Sequence, residues 1–172
     1  MLYHSLSQAI EHADGLVVIS AFFEVSETRN VPFDPLFRAL PKIEKYASNT
    51  TLDEDIDAMS LLPKNLNSFY MYTGSLTTPP CSEAVTFIIY KEKLTLSRDQ
   101  LNELRKLQYV EKGVSKPILM NSRNLQEVNK RTIFATEKSK ASVSKATNGM
   151  LALFVLLIAI TSRNKLSDQL VQ

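Results

Sequence analysis

The sequence predicts an α+β domain built around a sheet, and three observations carry that prediction. Runs of β-branched and aromatic residues, such as LVVISAFFEV at residues 16–25, are interspersed with short helical patterns. These strands and helices follow one another without a regular strand–helix–strand rhythm, which argues against a doubly wound parallel sheet. No internal repeat is visible in the 172 residues, so a solenoid is not expected. A chain of this length suffices for one domain with its own core.

Taken in order, residues 7–13 can form one helical turn, closed by Asp14 and Gly15. Residues 16–25 carry no polar stripe at helical spacing and read as a strand buried on both faces. In VPFDPLFRALPKIEKYA, Asp34 is the expected N-cap of a helix, with Pro35 in its first turn. Leu36, Phe37, Leu40 and Ile43 give that helix an apolar face, and Pro41 bends or splits it. SNTTLDEDIDAMSLLPKN reads as a loop with an acidic cluster. Within it Asn49-Thr50-Thr51 is a glycosylation sequon, a short motif common by chance that fits a surface loop. Residues 69–72 and 84–90 are expected strands. Ser97 and Gln100 have the spacing of a capping box for a helix over 97–107, with Leu101, Leu104 and Leu107 facing inward. Residues 113–117 are a turn, and residues 131–136 a last edge strand.

The formal net charge is +2, from 20 basic and 18 acidic residues, and the charges are scattered. That gives no sign of a nucleic-acid partner. Cys81 is the only cysteine. In a reducing compartment it would be a small buried hydrophobe, whereas in an exported protein it suggests a missing partner or an intermolecular bond. The first residues, MLYHSLSQAIEHADG, have no basic segment followed by an apolar run and do not read as a secretory signal. At the other end a stalk over residues 137–149, rich in Lys, Ser, Thr and Ala, precedes MLALFVLLIAI. Eleven helical residues span about 16 Å, short against a hydrocarbon core of about 30 Å. A polar spacer followed by an apolar run also has the outline of a glycolipid-anchor signal, although the polar residues 162–172 follow it. By either mechanism, residues 150–161 are read as a membrane-anchoring segment, the alternative being a buried or frayed helix.

The stretch YTGSLTTPPCSEAVTFIIY holds two hydroxyls against two prolines. Each proline fixes its own φ, and Pro79 pushes Thr78 toward an extended conformation. Thr77 and Thr78 therefore sit on a stiff loop just before a strand. With DGLVVISAFFEV, LLPKNL, GSLTTPPCSEAVTFIIYKE and LRKL in this order, the sequence resembles the α-type carbonic anhydrases. The resemblance covers about residues 1–136 and rests most heavily on GSLTTPPC. NSRNLQEVNKRTIF resembles the family's closing segment, with Asn124 where the family has proline.

The resemblance implies a central twisted, mostly antiparallel sheet with peripheral helices. It also implies a carbonate dehydratase, a lyase that reversibly hydrates carbon dioxide to bicarbonate and a proton. In that family three histidines hold zinc, which lowers the pKa of a bound water to about 7. By the same matching, Thr77 orients the zinc-bound hydroxide, and its backbone N–H faces the substrate oxygen. Thr78 lines the polar side. Val18, Leu76, Val85 and Phe87 form the apolar wall for carbon dioxide, with Phe87 in place of the family's usual tryptophan. A hydroxyl that orients a nucleophile must be preorganised, which accounts for the stiff loop.

The resemblance places the zinc ligands, a His-x-His pair and a third histidine, upstream of Tyr3. This chain has two histidines, His4 and His12, neither in that arrangement, so no metal ligand is expected in it. Nothing in the spacing of His4, His12 and Cys81 suggests that they converge on a substitute site. The carboxylate that would receive the Thr77 proton is also upstream, and Glu83 does not match it. Cys81 is matched to a disulfide with a cysteine near the start of the domain. The expectation is thus the C-terminal half of a longer, extracellular or secreted protein, inactive alone, with the N-terminal half missing. Its implied partners are carbon dioxide, bicarbonate and a membrane. The alternative is a non-catalytic, carbonic-anhydrase-related binding ectodomain; the intact Thr77–Thr78 loop favours the enzyme.

Overall fold

The computed structural model describes residues 3–118 and 122–136, together with the backbone of residues 152–154. In chain order the helices and strands are α1 (Leu6–Ala9), β1 (Leu16–Ser26), α2 (Asp34–Ala39), β2 (Phe69–Gly74), β3 (Val85–Ser97) and α3 (Arg98–Arg105). β4 (Gln108–Glu111), β5 (Val114–Pro117), β6 (Phe134–Ala135) and β7 (Ala152–Phe154) follow. The α+β class is as expected. The described residues divide into two units, one drawn from 3–23, 63–94, 123–136 and 152–154, the other from 24–62, 95–118 and 122.

The first unit is organised by a sheet of strand order β6-β2-β3-β1-β7. β2 and β3 pair antiparallel from Phe69 opposite Tyr90 to Gly74 opposite Val85. β6 lies antiparallel on the outer side of β2, and β7 antiparallel on β1. β1 departs from the expectation of burial on both faces. Val18, Ser20, Ala21 and Phe23 are buried, whereas Val17 and Val25 are 44 % and 43 % exposed. Apolar sequence simply runs past the covered length, since hydrophobic residues are not obliged to be inside. β3 runs on beyond residue 90 to Ser97. Its Lys91, Glu92 and Lys93 weaken the strand signal, yet Glu92 and Lys93 face solvent and the Lys91 ammonium lies 4.7 Å from the Tyr70 ring centre. The last strand is shorter than expected. Before it, the Arg131 guanidinium donates to the carbonyls of Val128, Glu127 and Thr73, so that stretch is fixed by a side chain instead of a ladder.

In the second unit, a 3-10 turn over Val31–Phe33 runs straight into α2, and a second begins at Leu40, beside Pro41. Pro41 thus divides the helix, as expected. Asp34 is not the N-cap: that position falls on Phe33, because the preceding turn is already helical. The Asp34 carboxylate instead accepts from Arg29 Nε at 2.6 Å and Gln100 Nε2 at 3.3 Å. The expected loop over 48–65 contains a 3-10 turn, Ala58–Leu61, whose first residues are held by the Asp57 carboxylate accepting from Met59 N–H. Asp53 and Glu54 of the acidic cluster pair with Lys42 and Arg38. The capping box of Ser97 and Gln100 forms in full. Residues 113–117 are not a turn but one arm of the β4–β5 hairpin, which turns at Lys112 and Gly113 with φ of 51° and 80°. Only glycine takes the second of those values without steric cost.

Of the apolar run over 150–161, only the β7 backbone is described, and it is extended. The rest of that run, the stalk and the tail lie outside the described residues. Among the described residues no helix is long and apolar enough to cross a membrane.

Candidate functional site: an apolar wall beneath a threonine loop

The loop between β2 and β3 is tied down at several points. Leu76 N–H donates to the Ser82 carbonyl at 2.9 Å, and Cys81 N–H to the Thr78 carbonyl at 2.9 Å. The Pro79–Pro80 peptide is cis, and Cys81 holds a positive φ of 60°. Arg123 Nη1 reaches Ser75 Oγ at 3.2 Å and the Leu76 carbonyl at 3.4 Å, fixing the entry to the loop. At its far end the Ala84 carbonyl accepts from Leu16 N–H at 2.9 Å, tying the loop's exit to the start of β1. Between these anchors Thr77 and Thr78 are exposed. Among the described residues neither hydroxyl takes a hydrogen bond.

Beneath the loop the strands converge on one apolar cluster. Val18, Val85 and Phe87 are 2 %, 0 % and 8 % exposed, with Leu16, Tyr72 and Leu76 packed against them. The period of two explains the set: Leu16 and Val18 share a face of β1, and Val85 and Phe87 share a face of β3. Tyr72 lies opposite Phe87 in the ladder, and their rings stack at 5.1 Å. At Gly74 a Cβ would come to 3.0 Å from the Phe87 ring, so a side chain here would have to push the ring aside. Burial raises the Tyr72 phenol pKa above its ordinary 10.0, while the Arg131 guanidinium, 6.0 Å from the ring centre, pulls the other way.

The structure therefore brings Val18, Leu76, Val85 and Phe87 together at the base of the Thr77–Thr78 loop. Sequence reasoning missed Leu16, Tyr72 and Arg123. Strand alternation could have found the first two, and the NSRN segment the third. A separate cavity of about 610 Å³ is lined by Met71, Tyr72, Thr73, Thr86, Lys130, Arg131, Thr132 and Phe134. It shares only Tyr72 with the cluster and includes neither Thr77 nor Thr78.

The remaining candidates lie apart from one another. His4 is exposed, and the exposed His12 stacks on Tyr3 at 4.6 Å. Glu83 and Asn49 are exposed, and Cys81 is a half-buried free thiol. Among the described residues no three His, Cys, Asp or Glu side chains are grouped to hold a metal ion. The described residues do not fit a zinc ion.

Residues 1–137 match the model of the eukaryotic-type carbonic anhydrase family. The chain is similar to carbonic anhydrase 6 of Mus musculus, 38 % identical over 58 % of this chain and 31 % of that protein. It is similar to putative carbonic anhydrase 3 of Caenorhabditis elegans, 36 % identical over 76 % of this chain and 51 % of the other. Carbonic anhydrase 4 of Rattus norvegicus is 31 % identical over 77 % of this chain and 43 % of its own length. The chain thus spans about half, or less, of these curated relatives. On the match over residues 1–137, this chain belongs to the eukaryotic-type carbonic anhydrase family.

Proposed function

We propose that this chain supplies the substrate-facing part of a carbonic anhydrase site, acting in the reversible hydration of carbon dioxide to bicarbonate and a proton. One observation carries the reading: Val18, Leu76, Val85 and Phe87 converge beneath the loop that presents Thr77 and Thr78. An apolar wall suits a small uncharged molecule, with a few placed polar groups to orient it. The Thr77 hydroxyl orients the oxygen nucleophile, and its backbone N–H faces the substrate oxygen that gains charge. Thr78 makes the polar side. Phe87 alters the shape of the wall without altering its polarity.

Zinc is the family's cofactor, and its ligands are to be sought outside this chain. The chain alone holds no zinc and is inactive. Equilibrium dialysis that finds one tightly held zinc per chain would contradict this. An exposed sequon at Asn49 and a cysteine with no second cysteine in the chain favour a location outside the cell, with Asn49 glycosylated and Cys81 paired to an upstream cysteine. Residues 150–161 serve as the membrane anchor in that setting. The Asn49 assignment is checked by glycosidase treatment of the chain expressed behind an added secretory signal in cultured cells, with loss of the mass shift in Asn49→Gln.

The test of function is a chimera that places the unmatched part of the nematode relative ahead of this chain. It is expected to take up zinc and hydrate carbon dioxide. In it Thr77→Ala should lower kcat about 100-fold, as expected for losing one preorganised polar contact to the reacting group. Thr77→Ser should be milder. A zinc-loaded chimera in which Thr77→Ala works as fast as its parent would overturn the assignment.

A further inference from the structure

We propose that the cavity between β2 and residues 130–134 binds a small aromatic carboxylate, its anionic head held by Arg131 and Lys130 and its ring by Tyr72, Met71 and Phe134. The proposal stands apart from the reading above, since the cavity includes neither Thr77 nor Thr78.

The cavity follows from how the sheet ends. β6 is two residues long and pairs with β2 only at Tyr70 and Met71. A longer strand would have continued along Tyr72 and Thr73. In its place the Thr73 carbonyl accepts from Arg131 Nη1 at 3.4 Å, so a side chain bridges where a ladder would run. The space beside that bridge is about 610 Å³, within the range of about 300–1,000 Å³ usual for small-molecule clefts. Its lining includes Thr73 and Thr86, which lie opposite each other in the β2–β3 ladder.

The chemistry of the lining selects the occupant. Arg131 and Lys130 are its charged residues, and no Asp or Glu is among them. Arg131 donates from Nε to the Val128 carbonyl, from Nη1 to that of Thr73 and from Nη2 to that of Glu127. A guanidinium has five N–H groups, so two remain, on a fork whose plane is already fixed. Such a fork matches a carboxylate better than a freely rotating cation does. Lys130 is exposed, and among the described residues no hydrogen bond or ion pair engages its ammonium. It adds a second positive charge to the same cavity. The rest is largely apolar. Tyr72 and Phe134 supply rings and Met71 a thioether, and Phe134 is 57 % exposed. Guanidinium groups and thioethers both pack well on aromatic rings. A bare inorganic anion would leave these groups unused, and a neutral arene would leave the two cations unmatched. An anionic arene uses both halves.

The test titrates the full chain, isotopically labelled on nitrogen, with naphthoate and follows the amide chemical shifts. Saturable shifts are expected at Met71, Tyr72, Thr73, Thr86 and residues 130–134, with Thr77 and Thr78 unmoved. The Kd should be about 1 mM or below, as the size of the probe allows. Naphthamide, neutral and of the same shape, should bind about tenfold more weakly. Acetate, anionic and without a ring, should not saturate. Lys130→Gln should weaken naphthoate binding about fivefold, as for an exposed ion pair, and Lys130→Arg should restore it. Thr132→Trp, at an exposed position on the lining, should fill the cavity with both charges intact and lose saturable binding. Shifts confined to other residues, or none, overturn the proposal. So does naphthoate binding that both Lys130→Gln and Thr132→Trp leave unchanged. Equal affinity for naphthamide would remove the carboxylate from the proposal, and equal affinity for acetate the ring; either result overturns it.

Discussion

Two polar stations in this chain invite comparison, Gln100 at the start of α3 and Thr77 on the loop before β3. The Gln100 side chain is wholly buried. Its Oε1 accepts from Asn30 N–H at 2.9 Å and Ser97 N–H at 3.1 Å. Its Nε2 donates to the Asn30 carbonyl at 2.9 Å and to Asp34 Oδ1 at 3.3 Å. An amide can do little more. Thr77 is the opposite case: a fixed backbone, an exposed hydroxyl, and no hydrogen bond to that hydroxyl among the described residues. A saturated polar group stabilises the fold. A positioned, solvent-facing one is free to exchange water for another partner.

The sharpest way to break that contrast is a pair of substitutions followed by urea denaturation. Gln100→Leu strands buried backbone groups and should cost on the order of 3 kcal/mol. Thr77→Ala should stay within about 0.5 kcal/mol, as for surface changes away from such features. Similar losses at the two positions would erase the distinction. Ser97→Ala, which removes only the cap to Gln100 N–H, should cost about 1 kcal/mol. Smaller again is Lys42→Ala, which breaks an exposed pair with Asp53. About 0.5 kcal/mol is expected, fading in high salt; a loss that persists at 1 M salt would point to packing. The subtlest effect concerns pH. A raised Tyr72 pKa means the folded state favours the neutral phenol, so this contribution is complete below pH 10.0 and is lost as pH rises through the raised value. Tyr72→Phe should flatten the alkaline limb of stability against pH. An unaltered limb would exclude Tyr72 as its source.

What could be read from the sequence follows the range of the interactions concerned. The capping box was legible because Ser97 and Gln100 are three residues apart and act on each other. The link from Gln100 to Asn30 and Asp34, about 70 positions away in sequence, left no local trace. Asp34 looked like a cap because its type is right, but a helical turn ahead of it moved the cap to Phe33. The β4–β5 hairpin was hidden because both arms are exposed, polar for the most part, and joined by Lys112-Gly113 instead of Asn-Gly. β3 was cut short at residue 90 by three charges, of which Glu92 and Lys93 are exposed and Lys91 lies over the Tyr70 ring. The wall residues were matched through family resemblance. Alternation alone would have paired Val85 with Phe87, but it could not have joined them to Val18 across the sheet.

The stacking of Phe87 on Tyr72 has an optical consequence. The chain contains six tyrosines and no tryptophan. Phe87→Trp would therefore place a single indole at the centre of the wall, where the native side chain is 8 % exposed. Its emission would be blue-shifted while the wall is closed and would move to the red as the wall opens to water. Because tyrosine emission excites indole efficiently at such separations, energy transfer from Tyr72 would report the stack itself. A chain without an indole thus gains one at the centre of the wall.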